Sequence, residues 1–181
     1  MEGKCSSNRK NQIIVGLICG VLLVLLDQVT KYLAVTHLKN APAIPMISNV
    51  FELYYLENHG AAFGILQGQK TFFIIITTVV MALLLYLYVK IPTDKRYVYM
   101  RLIIVLLVSG AIGNFIDRCM NDYVIDFFYF KLIDFPVFNV ADIYVTVAAM
   151  LLILVTCVYY KEEDFDMIFS KLPFHRKKEK H

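Results

Sequence analysis

The sequence has little charge for its length and no tryptophan. Of its 181 residues, 18% are charged and 59% are hydrophobic, whereas a soluble domain usually has about 25% charged residues. The apolar excess argues against an ordinary soluble domain and indicates a chain that spans a lipid bilayer. The 12 tyrosines and 13 phenylalanines must therefore supply any aromatic belt at the membrane boundary. The net charge of +3 does not suggest a nucleic-acid partner.

Several chemical motifs are also missing. The four cysteines are scattered without a CxxC pair, so we expect no zinc site and no disulfide framework and interpret them as apolar filler. No HExxH or other metal-ligand spacing occurs, and we expect no metal site. The histidines lie in one loop and in the tail, which argues against a Ser/His/Asp nucleophile mechanism. They are His37, His59, His175 and His181.

Four apolar runs are long enough to cross a bilayer core about 30 Å thick at 1.5 Å per residue. They lie at about 12–36, 70–90, 97–117 and 140–160. The polar residues before the first run are expected to be frayed. The run itself continues past Asp27 without a small-residue cleavage site, so it is not a cleavable signal peptide. We expect a single all-α integral membrane domain with four transmembrane helices.

The positions of lysine and arginine predict the orientation. Most of them lie at the N-terminus, in the turn at 90–101 and in the tail at 161–181, and few lie in the loops at 37–69 and 118–139. The positive-inside rule then places both termini in the cytoplasm and both longer loops outside. The basic tail either serves only as this topology signal, the interpretation we favour, or also contacts anionic membrane lipid.

Both outer loops contain aromatic and β-branched residues, which favour strands. The segments 50–57 and 123–130 carry this pattern, and we expect a small extracytoplasmic β-sheet platform on the helix bundle. A surface this apolar should either lie on the membrane or grip a lipid-linked ligand. The sequence does not separate these two interpretations.

Ionisable residues inside two spans are candidates for function. Asp27 and Lys31 are spaced i,i+4 and share a helix face, either as an internal pair that holds the first helix in register or as part of a site. Asn114, Asp117 and Arg118 share a face of the third span, where Arg118 could hold a carboxylate in a bidentate fork. These residues are as consistent with a scaffold as with catalysis.

Two acids near the outer membrane edge would suit a water-activating pair. Like charges a few Å apart share a proton, so that one acid can act as general base on water and the other as general acid. Asn139 and Asp142 also fit a simple helix cap at the start of the fourth span. Spacing alone does not choose two among the outer acids. These are Glu52, Glu57, Asp117, Asp122, Asp126, Asp134 and Asp142.

Five short stretches, in order and covering about residues 13 to 160, resemble a known family. They are Asp27-Gln28-Val29-Thr30-Lys31, Asn58-His59-Gly60-Ala61-Ala62-Phe63, Gly110-Ala111-Ile112-Gly113-Asn114-Phe115-Ile116-Asp117-Arg118, Val124-Ile125-Asp126-Phe127 and Phe138-Asn139-Val140-Ala141-Asp142. Each is weak alone, but together on a four-span chain they resemble bacterial lipoprotein signal peptidase, also called signal peptidase II, an aspartic protease of the membrane.

This resemblance implies a catalytic dyad of Asp126 and Asp142, because these acids match the V-x-D-F and F-N-x-A-D stretches of the family. Asp122 and Asp134 match neither stretch. The resemblance also implies supporting or substrate-binding roles for eight residues. They are Asp27, Lys31, Asn58, Gly60, Asn114, Asp117, Arg118 and Asn139.

The resemblance further implies a substrate and a location. The substrate would be a diacylglyceryl-modified prolipoprotein, cut just before its lipidated cysteine without any cofactor, in the bacterial cytoplasmic (inner) membrane with the active site on the extracytoplasmic side. Globomycin-type inhibitors would bind as substrate mimics, and we expect a monomer. The chain departs from the family pattern at Ser109, His59 and the Asn121-Asp122 turn. Asn and Asp tolerate turn geometry, so we expect that turn to persist.

Two other functions would also use intramembrane charges. A small polytopic transporter or ion-translocating subunit would spread polar residues through the bilayer or break its helices at the midplane, whereas here they cluster at one edge. A non-enzymatic scaffold would use the same polar residues only to join helices.

Overall fold

The computed structural model describes residues 2–60 and 68–169 and contains five α-helices and three strands in this part of the chain. The helices are α1 (Glu2–Leu38), α2 (Lys70–Lys90), α3 (Val98–Asn121), α4 (Val140–Val158) and α5 (Glu162–Phe169). The strands are β1 (Ile44–Ile47), β2 (Phe51–Asn58) and β3 (Val124–Tyr129). Short 3-10 turns occur at Lys95–Tyr97 and Lys131–Ile133.

Four helices have the length and apolar composition needed to cross a membrane. The spans lie at Arg9–Leu38, Lys70–Lys90, Lys95–Asn121 and Val140–Val158. Large apolar side chains such as Leu22, Ile75 and Ile153 point outward, and α2 has no buried residue. Such a surface would aggregate in water, but it is solvated by lipid. The predicted four-span architecture is therefore confirmed.

Helix α3 lies at the centre of the bundle and packs against α1, α2 and α4. Its glycines allow the closest approaches. A Cβ at Gly110 would lie 2.6 Å from the Ala141 carbonyl oxygen, and one at Gly113 would overlap the Asp27 carboxylate. Small residues let membrane helices pack at short range because their backbones can touch. The polar groups of α1, α3 and α4 are therefore brought within hydrogen-bond distance of one another.

Several boundaries differ from those expected. Helix α1 begins at Glu2 rather than near residue 12 and continues to Leu38, which places His37 in its last turn rather than in a loop. The first residues contain no proline, so the helix can continue beyond the membrane. Helix α3 likewise extends to Asn121 and ends at Asp122, which has a left-handed φ of 71°. The expected turn is present, and Arg118 is helical rather than the start of a loop.

The three strands form one antiparallel sheet in the order β1-β2-β3. Strand β1, which the sequence analysis did not predict, pairs with β2 at the edge of the sheet, where Pro45 is tolerated. Strand β3 is buried on both faces: Ile125 and Phe127 pack on Ala34 and Leu38 of α1. Side chains alternate along a strand, so Val124 and Asp126 face the opposite way. The predicted small sheet is thus confirmed.

The residues directly after α4 form a docked helix rather than a simple tail. Residues 162–169 form α5, and the Asp164 carboxylate accepts two hydrogen bonds from the Arg96 guanidinium in the turn between α2 and α3. Ile168 and Phe165 pack into the adjoining apolar cluster. Asp164 therefore does more than help to end α4, because it docks α5 against the bundle. Residues 170–181 lie outside the described part of the chain.

We expect Gly110→Ala to lower the free energy of unfolding by about 1–3 kcal/mol, because the added methyl would overlap the α4 backbone. Gly20→Ala is the matched control, since its Cβ would meet no atom closer than 3.6 Å and alanine favours a helix. Thermal unfolding in detergent measures both variants. Equal melting temperatures for the two would contradict the close packing.

Candidate active site

A buried cluster around Lys31 joins α1 to α3. The Lys31 Nζ lies 3.0 Å from Asp27 Oδ2 and 2.9 Å from Asp117 Oδ2, and it donates a 2.9 Å hydrogen bond to Asn114 Oδ1. Side-chain exposure is 3% or less for the lysine and both acids. Of the two roles considered for Asp27 and Lys31, the internal pair is present, extended by a second acid that spacing did not connect to it.

The two acids of this cluster also hold backbone outside α1 and α3. Asp27 Oδ1 accepts the Ala141 N–H at 2.9 Å, and Asp117 Oδ2 accepts the Ile125 N–H at 3.1 Å. Ala141 directly precedes Asp142, and Ile125 directly precedes Asp126. The Lys31 cluster therefore fixes the backbone beside each acid of the predicted dyad.

Asp142 lies in the first turn of α4 and is held by a capping box. Its Oδ2 accepts the Asn139 backbone N–H at 3.1 Å, while Asn139 Oδ1 accepts the Asp142 N–H at 3.0 Å. Its other oxygen, Oδ1, accepts a 2.8 Å hydrogen bond from Asn114. The predicted helix cap is present, and it leaves the Asp142 carboxyl at the edge of a cavity.

Asp126 lies in the middle of β3 and is 1% exposed. The amides of Asn58 and Asn139 donate to its two oxygens at 2.8 Å and 2.6 Å. Asn58 ends β2 opposite Val124, so sheet register places it diagonally across from Asp126. Burial, with the nearby negative charge of Asp142, raises the pKa of Asp126 to about 7.

The two acids of the predicted dyad share neighbours. Asn139 contacts both carboxyls, and Asn114 accepts from Asn139 Nδ2 at 3.0 Å while it donates to Asp142. Both acids line one cavity of about 630 Å³ with mostly apolar walls. Phe130, Phe135 and Phe138 form part of that wall. Seven of the predicted site residues are thus at the cavity or in direct contact with the acids there: Asn58, Gly60, Asn114, Arg118, Asp126, Asn139 and Asp142.

Arg118 does not make the carboxylate fork that we considered. Its guanidinium donates to the Gly60 carbonyl oxygen at 3.0 Å and to the Asn114 carbonyl oxygen at 3.4 Å. It also lies over the Phe73 ring, 4.6 Å from the centroid. The extra helical turn at the end of α3 directs it toward Gly60, so it holds the backbone two residues after the end of β2.

The remaining outer acids have partners elsewhere. Asp122 pairs with Lys70, and Asp134 accepts from the Tyr129 hydroxyl at 2.7 Å on the exposed surface. Glu52 pairs with Lys131, and Glu57 pairs with Lys39. Among the described residues, no group of three or more His, Cys, Asp or Glu side chains could hold a metal ion. The arrangement instead offers two buried carboxyls that can share a proton beside an apolar cavity.

The protein-family model that describes signal peptidase (SPase) II matches residues 19–158 of this chain. The chain belongs to the signal peptidase II family. The lipoprotein signal peptidases of Streptococcus pyogenes serotype M5 (strain Manfredo) and serotype M18 (strain MGAS8232) are each 43% identical over 145 residues, which cover 80% of this chain and 92% of each relative.

Two solved structures of bacterial membrane enzymes, both obtained by the in meso method, are similar to this fold. The structure at 2.3 Å resolution has a TM-score of 0.74 and 36% identity, and the match covers 83% of this chain and 93% of that one. The structure at 1.9 Å resolution has a TM-score of 0.72 and 36% identity, and the match covers 82% of this chain and 96% of that one.

As a signal peptidase II, the chain is a membrane protease that cleaves signal peptides from prolipoproteins. The transporter and scaffold alternatives have no support.

Two contacts in this signal peptidase II were not predicted. Gln28 Nε2 lies within 3.3 Å of Asp27, the Gly113 carbonyl oxygen and Asp117. Its place directly after Asp27 could have indicated a shared role. Phe73 touches Arg118 from α2, a span with no polar pattern, and the sequence held no signal for that contact.

We expect Lys31→Met to lower the free energy of unfolding by about 3–5 kcal/mol, because two buried carboxylates would lose their only cation in the described structure. Thermal unfolding in detergent measures the loss. Lys39→Met is the matched control: the Lys39–Glu57 pair has a lysine side chain that is 40% exposed, and such pairs contribute about 1 kcal/mol or less. A Lys31→Met protein as stable as this control would contradict the role of the cluster.

Proposed function

We propose that Asp126 and Asp142 are the catalytic dyad with which this signal peptidase II cuts a diacylglyceryl-modified prolipoprotein just before its lipidated cysteine. The observation that carries the proposal is that both carboxyls contact Asn139 and line the same cavity. Each other outer acid outside the Lys31 cluster has a partner away from this cavity.

The chemistry follows from a dyad that shares one proton. The ionised carboxyl takes a proton from a water molecule while the water oxygen bonds to the scissile carbonyl carbon. The protonated carboxyl first donates to the carbonyl oxygen, and a proton then passes to the leaving nitrogen as the C–N bond breaks. The products are a free carboxyl end on the signal peptide and a free amine on the lipidated cysteine.

The other predicted residues position the dyad rather than react. Asn58, Asn114 and Asn139 donate to the carboxyl oxygens and fix their orientation. Asp27, Lys31 and Asp117 act one step further away, through the backbone beside each acid. Such preorganisation costs nothing at the moment of reaction. Arg118 and Gly60 hold the end of β2 near the cavity.

The cavity suits a lipid-linked peptide. Its walls continue from the dyad along α4 through Ile143, Thr146 and Met150, and α4 is a candidate membrane span. The diacylglyceryl chains could remain in lipid while the peptide reaches the acids. A globomycin-type inhibitor would occupy the same cavity as a substrate mimic. The predicted aromatic grip is consistent with Phe130 and Phe138 in the cavity wall.

We also propose the bacterial inner membrane as the location, with both termini cytoplasmic and the dyad on the extracytoplasmic side. The support is the concentration of lysine and arginine at the opposite end from the dyad. In this proposal the chain is a single membrane domain, and its outer loops contain the sheet. We propose a monomer as the active unit.

We expect Asp126→Asn and Asp142→Asn each to lower the rate of cleavage by roughly 10²- to 10⁴-fold, since each removes one acid–base group. The measurement is cleavage of a diacylglyceryl-modified prolipoprotein peptide by the purified protein in detergent. Asp134→Asn is the matched control, because Asp134 is exposed and bonds only Tyr129 in the described structure. Normal cleavage by either folded dyad variant would overturn the assignment.

We expect kcat/KM to fall as the pH rises through about 7. The buried Asp126 carboxyl, with its pKa raised to about 7, loses its proton above that pH, and the dyad then has no acid. The pH profile of peptide cleavage measures this decline, with Asp134→Asn as the reference enzyme. A rate that stays constant up to pH 9 would contradict a proton shared by this pair.

A further inference from the structure

A second cavity, of about 530 Å³, opens at the opposite end of the bundle from the dyad. It lies between α1 and the turn that joins α2 to α3, and we refer to it as the turn cavity. Its wall is mostly apolar. Its lining includes Val15, Cys19, Asp94, Lys95, Arg101 and Leu102. None of these residues contributes to the proposed cleavage chemistry.

Arg101 brings a buried positive charge into the turn cavity. The residue is 8% exposed, and its guanidinium donates to the carbonyl oxygens of Pro92 at 2.6 Å and Asp94 at 3.1 Å. No ion pair of Arg101 occurs among the described residues, whereas Arg96 nearby is neutralised by Asp164. The carbonyl contacts explain how Arg101 supports the turn, but they supply no negative charge. Burying a cation without a negatively charged partner is energetically costly.

The rest of the lining suits an amphiphilic anion. Lys95 is exposed at the turn and has no hydrogen bond or ion pair from its side chain within the described chain. Val15, Leu102 and Val105 provide an apolar wall that extends into the spans. Asp94 is the one acid on the lining, and it is exposed at the turn. Two cations against one acid leave the cavity positive.

We propose that the turn cavity binds an anionic phospholipid, with its phosphate near Arg101 and Lys95 and an acyl chain along the apolar wall. The turn connects two membrane spans, so it lies at the depth where phospholipid headgroups meet the acyl region. A phosphate at this position would supply the charge that Arg101 lacks. The apolar wall favours a lipid over a free phosphate because a soluble anion would leave that wall uncovered.

The test is native mass spectrometry of the delipidated full chain with added dioleoylphosphatidylglycerol or dioleoylphosphatidylcholine. Lys95→Gln removes one charge without affecting the Arg101 contacts to the turn, and Cys19→Phe fills the apolar wall. Lys161→Gln and Cys157→Phe are matched controls, because both are exposed at the same end of the bundle and neither lines the cavity. Glycerol 3-phosphate alone tests for a site that takes only a phosphate.

We expect one phosphatidylglycerol to bind in preference to phosphatidylcholine. Lys95→Gln should weaken this binding about fivefold, the usual contribution of one basic residue at an anionic surface. Cys19→Phe should also weaken it, and the two controls should bind like the original chain. Equal binding of the two lipids, or equal binding by all four variants, would overturn the proposal. Glycerol 3-phosphate that binds as tightly as the lipid would overturn the lipid assignment.

Discussion

The contact of Lys31 with Asp27 and Asp117 is the interaction on which the rest of the site depends. Three charges are buried where α1 meets α3, at a depth where an unpaired charge would be costly. Each acid contacts the lysine and also accepts a hydrogen bond from the backbone N–H directly before an acid of the proposed dyad. The Lys31 cluster therefore joins α1 to α3 and also fixes the backbone beside each acid of the proposed dyad.

Burial has two consequences for the proposed dyad, because it makes a charged carboxyl costly and also shifts its titration. Burial and the nearby Asp142 charge raise the pKa of Asp126 toward neutrality, as the proposed sharing of one proton requires. The asparagines offset part of that cost because they donate to the carboxyl oxygens. The capping box of α4 holds Asp142 in place, and strand pairing and burial hold Asp126 in place on β3.

The two ends of the bundle are built in different ways. At the end that holds the proposed dyad, polar side chains are buried between the helices and the sheet. At the opposite end, α5 is docked through Asp164 and Arg96, and the bundle leaves an apolar cavity with a basic edge. Between them the outer surface is almost entirely apolar, so lipid rather than a protein core surrounds most of the helices.

The four spans, the loops that form the sheet and, through five ordered stretches, the family and the proposed dyad could be predicted from the sequence. These features are local, since apolar length, strand preference and short motifs depend on consecutive residues. Which side chains meet depends on the fold: Asp117 joins Asp27 on Lys31, Arg118 turns to Gly60 rather than to a carboxylate, and Asp164 docks α5. Those contacts join residues tens of positions apart. They depend on how closely α3 packs through Gly110 and Gly113, which spacing along one helix does not encode.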